Sequence, residues 1–184
     1  MSLILIRHGS TRGNLEGRYI GCRTDEDLCD EGICKLLQVR RRLPPVEKVY
    51  ISPMRRCVQS ARLLWPHARL ETVPEWTEID FGTFEGYTWT QMKDWPAYRR
   101  FLDSGGTAPF PQGEDPADFR ARTLKAFEAL RPHMPEKCAV VAHGGTLMTL
   151  MEAFALPHQT YFSWQTACAE GFVLGKDGSW ERIV

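Results

Sequence analysis

The sequence predicts an α/β fold in three layers, α/β/α: a mostly parallel central sheet, helices on both faces, and a C-terminal antiparallel hairpin. Three observations carry that reading. Two short aliphatic runs, Leu3-Ile4-Leu5-Ile6 and Ala139-Val140-Val141-Ala142, have the length and composition of buried strands. Each run leads into a histidine followed by glycine, Arg7-His8-Gly9 and His143-Gly144-Gly145, which marks a sharp exit from a strand. Between them, strand-like and helix-like segments alternate, as they do where crossover helices join parallel strands.

The elements follow in order. The first strand covers residues 3–7. Residues 10–27, rich in Gly, Asn, Arg and Asp, read as a long loop. Asp30 begins a helix to about residue 42, with Glu31 in its first turn and Pro44-Pro45 stopping it. Residues 46–51 form the next strand. Ser52-Pro53 then opens a helix, with serine as N-cap and proline at the first helical position. Val58, Ala61, Leu64 and Trp65 recur along it at helical spacing. Residues 69–73 form a third strand, and 76–87, aromatic and acidic with glycines between, form a loop. Residues 90–102 make one or two short helices. Residues 104–115, with Gly105-Gly106, Pro109, Pro111 and Gly113, read as a mobile surface segment. A long helix over 116–131 turns Phe119, Leu124, Phe127 and Leu130 inward. After the strand 138–142 and a helical run over 147–155, two stretches flank Asp177-Gly178 as a hairpin, 167–174 and 179–184.

Length and charge bound the possibilities. At 184 residues the chain fits one domain, 1–184. Lys plus Arg balances Asp plus Glu, 23 against 23, so neither a nucleic-acid nor a membrane partner is expected. No apolar stretch approaches the ~18 residues of a membrane-spanning helix. No basic segment precedes an apolar one at the N-terminus, so no signal peptide is expected and the expected location is the cytoplasm. The oligomeric state is expected to be monomer or homodimer. Of the six cysteines, Cys22, Cys29 and Cys34 lack the paired spacing of a zinc site, and a chain of this length needs no disulfide scaffold. Reduced thiols, with no metal and no cofactor, are the expectation.

The chemistry concentrates in four segments that each follow a strand. They are Arg7-His8, Ser52-Pro53-Met54-Arg55-Arg56, Glu78-Ile79-Asp80-Phe81-Gly82, and His143-Gly144-Gly145. In a parallel sheet such segments share the carboxyl edge, where the ligand crevice lies. Two arginines and two histidines make a pocket for a dianion, with phosphate the natural candidate for guanidinium forks. The N–H groups of Gly144 and Gly145 would open a helix toward an oxyanion, and Asn14 adds a neutral donor. Blander readings stand beside this one. Arg55 and the run Arg40-Arg41-Arg42 suit solvated helix faces, and Arg56 alone would too. His67, His133 and His158 read as surface or structural. Trp76, Phe81, Phe84 and Trp89 read as core or lid packing before ligand stacking.

Taken together, Arg-His-Gly-Ser-Thr-x-x-Asn at 7–14, Ser-Pro-Met-x-Arg at 52–56, Glu-Ile-Asp-Phe-Gly-x-Phe-Glu-Gly at 78–86 and Ala-His-Gly-Gly at 142–145 resemble the histidine phosphatase superfamily, which includes cofactor-dependent phosphoglycerate mutase. The resemblance implies that His8 is the nucleophile that becomes phosphohistidine. It implies that Arg7, Arg56, Asn14, His143 and Gly144 hold the phosphoryl oxygens. It also implies that Glu78 is the general acid, with Asp80 and Glu85 as rival carboxyls. No metal is implied.

Only 64 residues lie between Glu78 and His143, short for the insertion that closes such mutases, which favours ester hydrolysis over transfer. Gly13-Asn14, Arg18-Tyr19-Ile20-Gly21 and Thr24-Asp25 resemble α-ribazole-5′-phosphate phosphatases, and Pro111-x-Gly113-Glu114 and Arg122 resemble the compact phosphatase branch. This second resemblance implies a small phosphorylated metabolite as partner, contacted by Tyr19, Ile20 and Gly21. Ser10 departs from it, where glutamate is common, as does a one-residue longer spacing from Gly21 to Thr24. The alternatives are a phosphoglycerate mutase-type phosphotransferase and a noncatalytic module that binds a phosphorylated ligand.

Overall fold

The protein is described by a computed structural model over residues 2–184. Six strands form one sheet: β1 (Ser2–Arg7), β2 (Lys48–Ile51), β3 (Arg69–Thr72), β4 (Cys138–Ala142), β5 (Gly171–Gly175) and β6 (Trp180–Ile183). Their order is β3-β2-β4-β1-β5-β6. The first four pair in parallel, with Ile6 opposite Val141 and Val141 opposite Ile51. The hairpin β5-β6 joins β1 antiparallel, as the sequence predicts, so the expected α/β sheet is present.

Seven helices complete the described chain: α1 (Arg12–Leu15), α2 (Asp30–Arg40), α3 (Arg55–Leu64), α4 (Trp89–Met92), α5 (Pro96–Asp103), α6 (Pro116–Leu130) and α7 (Gly144–Phe154). Alternation along β1 shows how the layers form. Leu3 and Leu5 face one core with Phe127 of α6 and Leu147, Leu150 and Met151 of α7. Ile4 and Ile6 face the other core with Leu36 and Val39 of α2 and Cys57, Ala61 and Leu64 of α3. Strands buried on both faces must be apolar at every position, and 138–142 is buried at all five. A third cluster, Ile79, Phe84, Met92, Tyr98, Phe110 and Phe119, lies off the sheet and is built by the segments between β3 and α6 and by α6 itself.

Several local expectations are corrected. The helix after β2 starts at Arg55 with Met54 as its N-cap, so Ser52 does not cap it. Ser52 Oγ lies 2.7 Å from His143 Nε2 and accepts from the Met54 N–H at 3.4 Å, ahead of the first helical residue. The long loop 10–27 contains α1, which Thr11 and Asn14 hold in a reciprocal capping box. A short 3-10 turn at Pro74–Trp76 leads into the loop 76–87 and a second lies within it at Gly82–Phe84, with Trp76 and Phe84 fully buried. The segment read as mobile, 104–115, is anchored at its far end. Phe110 is buried there, and Glu114 N–H donates to the Asp80 carbonyl at 2.9 Å. Trp89, by contrast, is exposed, as are Arg40, Arg41, Arg42, Arg55, His67, His133 and His158. No helix among the described residues is long and apolar enough to cross a membrane.

Candidate active site

The parallel register brings the ends of β1, β2 and β4 side by side, and with them Arg7-His8, Ser52 and His143. His8 follows β1 directly, and its N–H donates to the Ala142 carbonyl at 2.9 Å. Its ring is buried, and Nδ1 lies 2.7 Å from the Gly9 carbonyl. A carbonyl only accepts, so Nδ1 carries the proton and Nε2 keeps its lone pair. Burial first, then the charges of Arg56 and Arg7, hold the His8 pKa well below 6.5. The ring is therefore a neutral imidazole with one free nitrogen.

His143 faces it with ring centroids 5.1 Å apart. Ser52 Oγ sits 2.7 Å from His143 Nε2 and fixes the ring. Its Nδ1 lies 3.4 Å from an Arg56 amino group and 3.7 Å from Glu78 Oε2. Burial and the neighbouring Arg56 keep this imidazole neutral as well. Gly144 and Gly145 begin α7 immediately after it, so their amides point into the site from a helix N-terminus. A Cβ on Gly145 would lie 2.9 Å from the Phe119 ring and 3.2 Å from Glu78 Oε1, so glycine keeps room for the carboxyl there.

The arginines are the unusual part. Arg56 is fully buried in the first turn of α3, yet neither it nor Arg7 pairs with a carboxylate in any ion pair among the described residues. Arg56 donates only to carbonyls, those of Thr24 at 2.9 Å and Gly21 at 3.3 Å, besides the His143 contact. Arg7 donates to the Thr166 carbonyl at 2.7 Å. In both residues the buried Nε–H has no partner. Buried charge without a counter-charge is costly, and orphaned buried donors are rare, so the arrangement is built to receive an anion.

Glu78 supplies the carboxyl at this edge. It is 8% exposed, and burial raises its pKa against the opposing pull of the Ile79 N–H, Arg56 and Arg7. Its loop is clamped by Arg122. That guanidinium grips Glu114 with both ends, at 2.6 and 2.9 Å. It also donates to the carbonyls of Glu75, Thr77 and Glu78. The rival carboxyls point elsewhere. Asp80 pairs with Arg23, and Glu85 accepts from the Gly21 N–H.

A cavity of about 880 Å³ opens over this edge. Arg7, Asn14, Glu78, Gly144 and Gly145 line its floor, and Tyr19 and Ile20 line it higher up. Asn14 spends its carbonyl oxygen on the Thr11 cap, which leaves its amide NH₂ for the cavity. Gly21 does not line the cavity. It lies beneath, where a Cβ would stand 2.3 Å from the Ile79 carbonyl, and its own carbonyl receives Arg56.

Sequence reasoning missed the contact of Ser52 with His143, although Ser52 stands at a strand end like the two histidines. It also missed Met148, Tyr161 and Phe162 as lining residues, for which no motif gives a signal. The described residues contain no cluster of His, Cys, Asp and Glu arranged for a metal, and all six cysteines are free.

Comparison with known proteins gives the family and the fold. The profile of the histidine phosphatase superfamily (branch 1) matches residues 3–180. A metal-independent phosphoserine phosphatase of Arabidopsis thaliana is 29% identical over 158 residues, which span 80% of this chain and 66% of that protein. An adenosylcobalamin/alpha-ribazole phosphatase of Salmonella typhimurium is 27% identical over 158 residues, 82% of this chain and 78% of that one. The crystal structure of phosphoglycerate mutase from Thermus thermophilus superposes with a TM-score of 0.78 at 26% identity, covering 100% of this chain and 99% of that one.

Proposed function

Because the chain belongs to branch 1 of the histidine phosphatase superfamily, we propose that it is a metal-independent phosphomonoesterase working through a phosphohistidine at His8. The observation that carries the reading is the pair of guanidinium groups, unpaired by any carboxylate, flanking an imidazole whose Nε2 lone pair is free. A noncatalytic binding module needs the arginines but neither that nucleophile nor a buried acid.

Arg7, Arg56, Asn14, His143 and the Gly144 amide hold the phosphoryl oxygens and offset the charge spread over them in the transition state. His8 Nε2 attacks phosphorus as the bond to the ester oxygen breaks. Glu78, whose protonated form burial favours, gives its proton to the departing alkoxide. Water then attacks the phosphohistidine, the Glu78 carboxylate takes its proton, and orthophosphate leaves with His8 restored. Splitting the displacement in this way replaces one hard step with two easier ones.

α-Ribazole 5′-phosphate is our leading substrate, on the strength of residues 13–25 and the Salmonella relative. A phosphoglycerate mutase-type transfer stays the alternative, since a structure of that name matches this chain end to end; the short span between Glu78 and His143 favours hydrolysis.

The test is phosphate release from a panel of esters in water with no acceptor, α-ribazole 5′-phosphate, phosphoserine and 3-phosphoglycerate among them. Trapping of the phosphoenzyme accompanies it. We expect hydrolysis and a phosphoryl group on His8. His8→Ala should lose at least about 10⁴ in kcat, as removal of a nucleophile does elsewhere. A variant as fast as the parent would remove His8 from the mechanism.

A further inference from the structure

Above its charged floor the cavity changes character. Its sides are Tyr19, Phe81, Phe101, Phe110, Tyr161 and Phe162, with Met148 and Ile79 between them. These rings hold one another in place: Tyr19 on Phe81 at 5.0 Å, Phe81 on Phe110 at 5.1 Å, Phe101 on Phe110 at 4.7 Å, and Tyr161 on Phe162 at 5.0 Å. At the mouth, Leu102 and Phe162 are 53% and 52% exposed, an apolar rim that closes nothing in the free protein. The Gly105-Gly106 turn borders Phe162 closely, since a Cβ on Gly106 would lie 3.0 Å from its ring.

The arginines lining this upper space are already paired. Arg18 is bound to Glu16 at 2.7 Å and to the Gly86 carbonyl at 2.7 Å. Arg120 is paired with Glu152 at 3.2 Å and lies flat on the Tyr161 ring at 3.8 Å. Among the described residues, Glu78 is the only acid that lines the cavity. An ammonium on the substrate therefore has no carboxylate to meet except the one proposed to do the chemistry. A substrate carboxylate would have to share Arg18 or Arg120 with the acid already paired to it.

We infer that the cavity selects phosphate esters of large, mainly apolar or aromatic alcohols over esters of small charged alcohols such as phosphoserine. This rests on the phosphomonoesterase reading above. A volume of about 880 Å³ suits a ligand of drug size, which an amino-acid phosphate would leave mostly unfilled. The rings supply stacking and apolar contact, and a zwitterion placed there would find no carboxylate for its ammonium except Glu78.

The test compares kcat/KM for 3-phenylpropyl phosphate, ethyl phosphate and O-phospho-L-serine. All are alkyl esters, so differences report the leaving group's fit. The phenylpropyl ester should exceed each of the others at least tenfold, a modest return for a buried ring. Phe162→Ala should shrink that advantage severalfold. Phosphoserine turned over as well as or better than the phenylpropyl ester overturns the inference, as does ethyl phosphate matching it. Absence of hydrolysis with all esters is a different result, because it removes the phosphomonoesterase reading itself and the inference with it.

Discussion

Beneath the floor of the cavity, Arg56 is fully buried and His143 is pinned by Ser52 at 2.7 Å; along the walls, Phe162 is half exposed and Phe101 leans on Phe110 at 4.7 Å. The floor residues follow strands whose register is fixed by ladder hydrogen bonds, so their positions are set by the sheet. Phe101 of α5, Phe110 in the segment before α6, and Tyr161 and Phe162 of the 3-10 turn Tyr161–Trp164 form much of the walls, and packing among rings sets their positions. The floor is directional and intolerant of a missing atom. The walls are non-directional and graded. Reaction type resides in the first and choice of ester in the second.

Substitutions sharpen that division. The largest effect short of losing the nucleophile is expected at Glu78. Glu78→Gln should lower kcat for an alkyl phosphate by about 10²–10⁴, the usual contribution of general acid catalysis. An aryl phosphate, whose leaving group needs no proton, should lose less in the bond-breaking step. Parent activity should persist well below pH 6.5, because both imidazoles stay neutral there. It should fall as pH rises and Glu78 ionises, above the ordinary carboxylate range because burial raises that pKa. A pH–rate profile of Glu78→Gln that keeps this descending limb would assign it to another group.

Arg56→Met comes next, at about 10²–10³ in kcat for one lost transition-state donor. Steady-state kinetics showing less than a tenfold loss would detach Arg56 from the phosphoryl site. Arg122→Met lies between floor and wall, since Arg122 touches the acid's loop rather than the ligand. We expect about a tenfold fall in kcat with little change in KM, the scale of one charge-assisted hydrogen bond. An aryl phosphate should be affected less, and an equal loss on both ester types would indicate general unfolding.

The smallest effect needs no catalysis. Orthophosphate at 100 times its Kd should stabilise the fold by about 2.7 kcal/mol. For a chain of this size that raises Tm by roughly 5–10 °C. A thermal scan in which Arg56→Met shows the same rise would place the anion elsewhere.

The same division governs what can be read from the chain. Arg7, His8, Glu78 and His143 are legible because each follows an aliphatic strand or a motif at fixed spacing, and strand ends in a parallel sheet converge by topology. The hairpin is legible from Asp177-Gly178, whose turn chemistry is local. Ser52 is easily misread because a serine before proline imitates a helix cap; only the contact with His143, 91 residues away, reveals its use. Gly21 misleads because a glycine in a binding motif can serve the backbone beneath the ligand instead of the ligand. Phe162 and Tyr161 carry no local signal, since an aromatic pair in a loop has the same composition whether it lines a cavity or fills a core. The anchoring of 104–115 depends on Phe110 finding the cluster around Phe84, which is again a tertiary event.

The unpaired guanidinium groups of Arg7 and Arg56 have one more consequence. A pocket that attracts the dianionic end of an ester grips the inorganic product by the same atoms, with no alkoxy group left to be pushed out by the walls. We expect inorganic phosphate to compete with the ester for these groups, which inhibition kinetics would show. The enzyme's output would therefore follow the ratio of ester to free inorganic phosphate in its surroundings rather than the ester concentration alone.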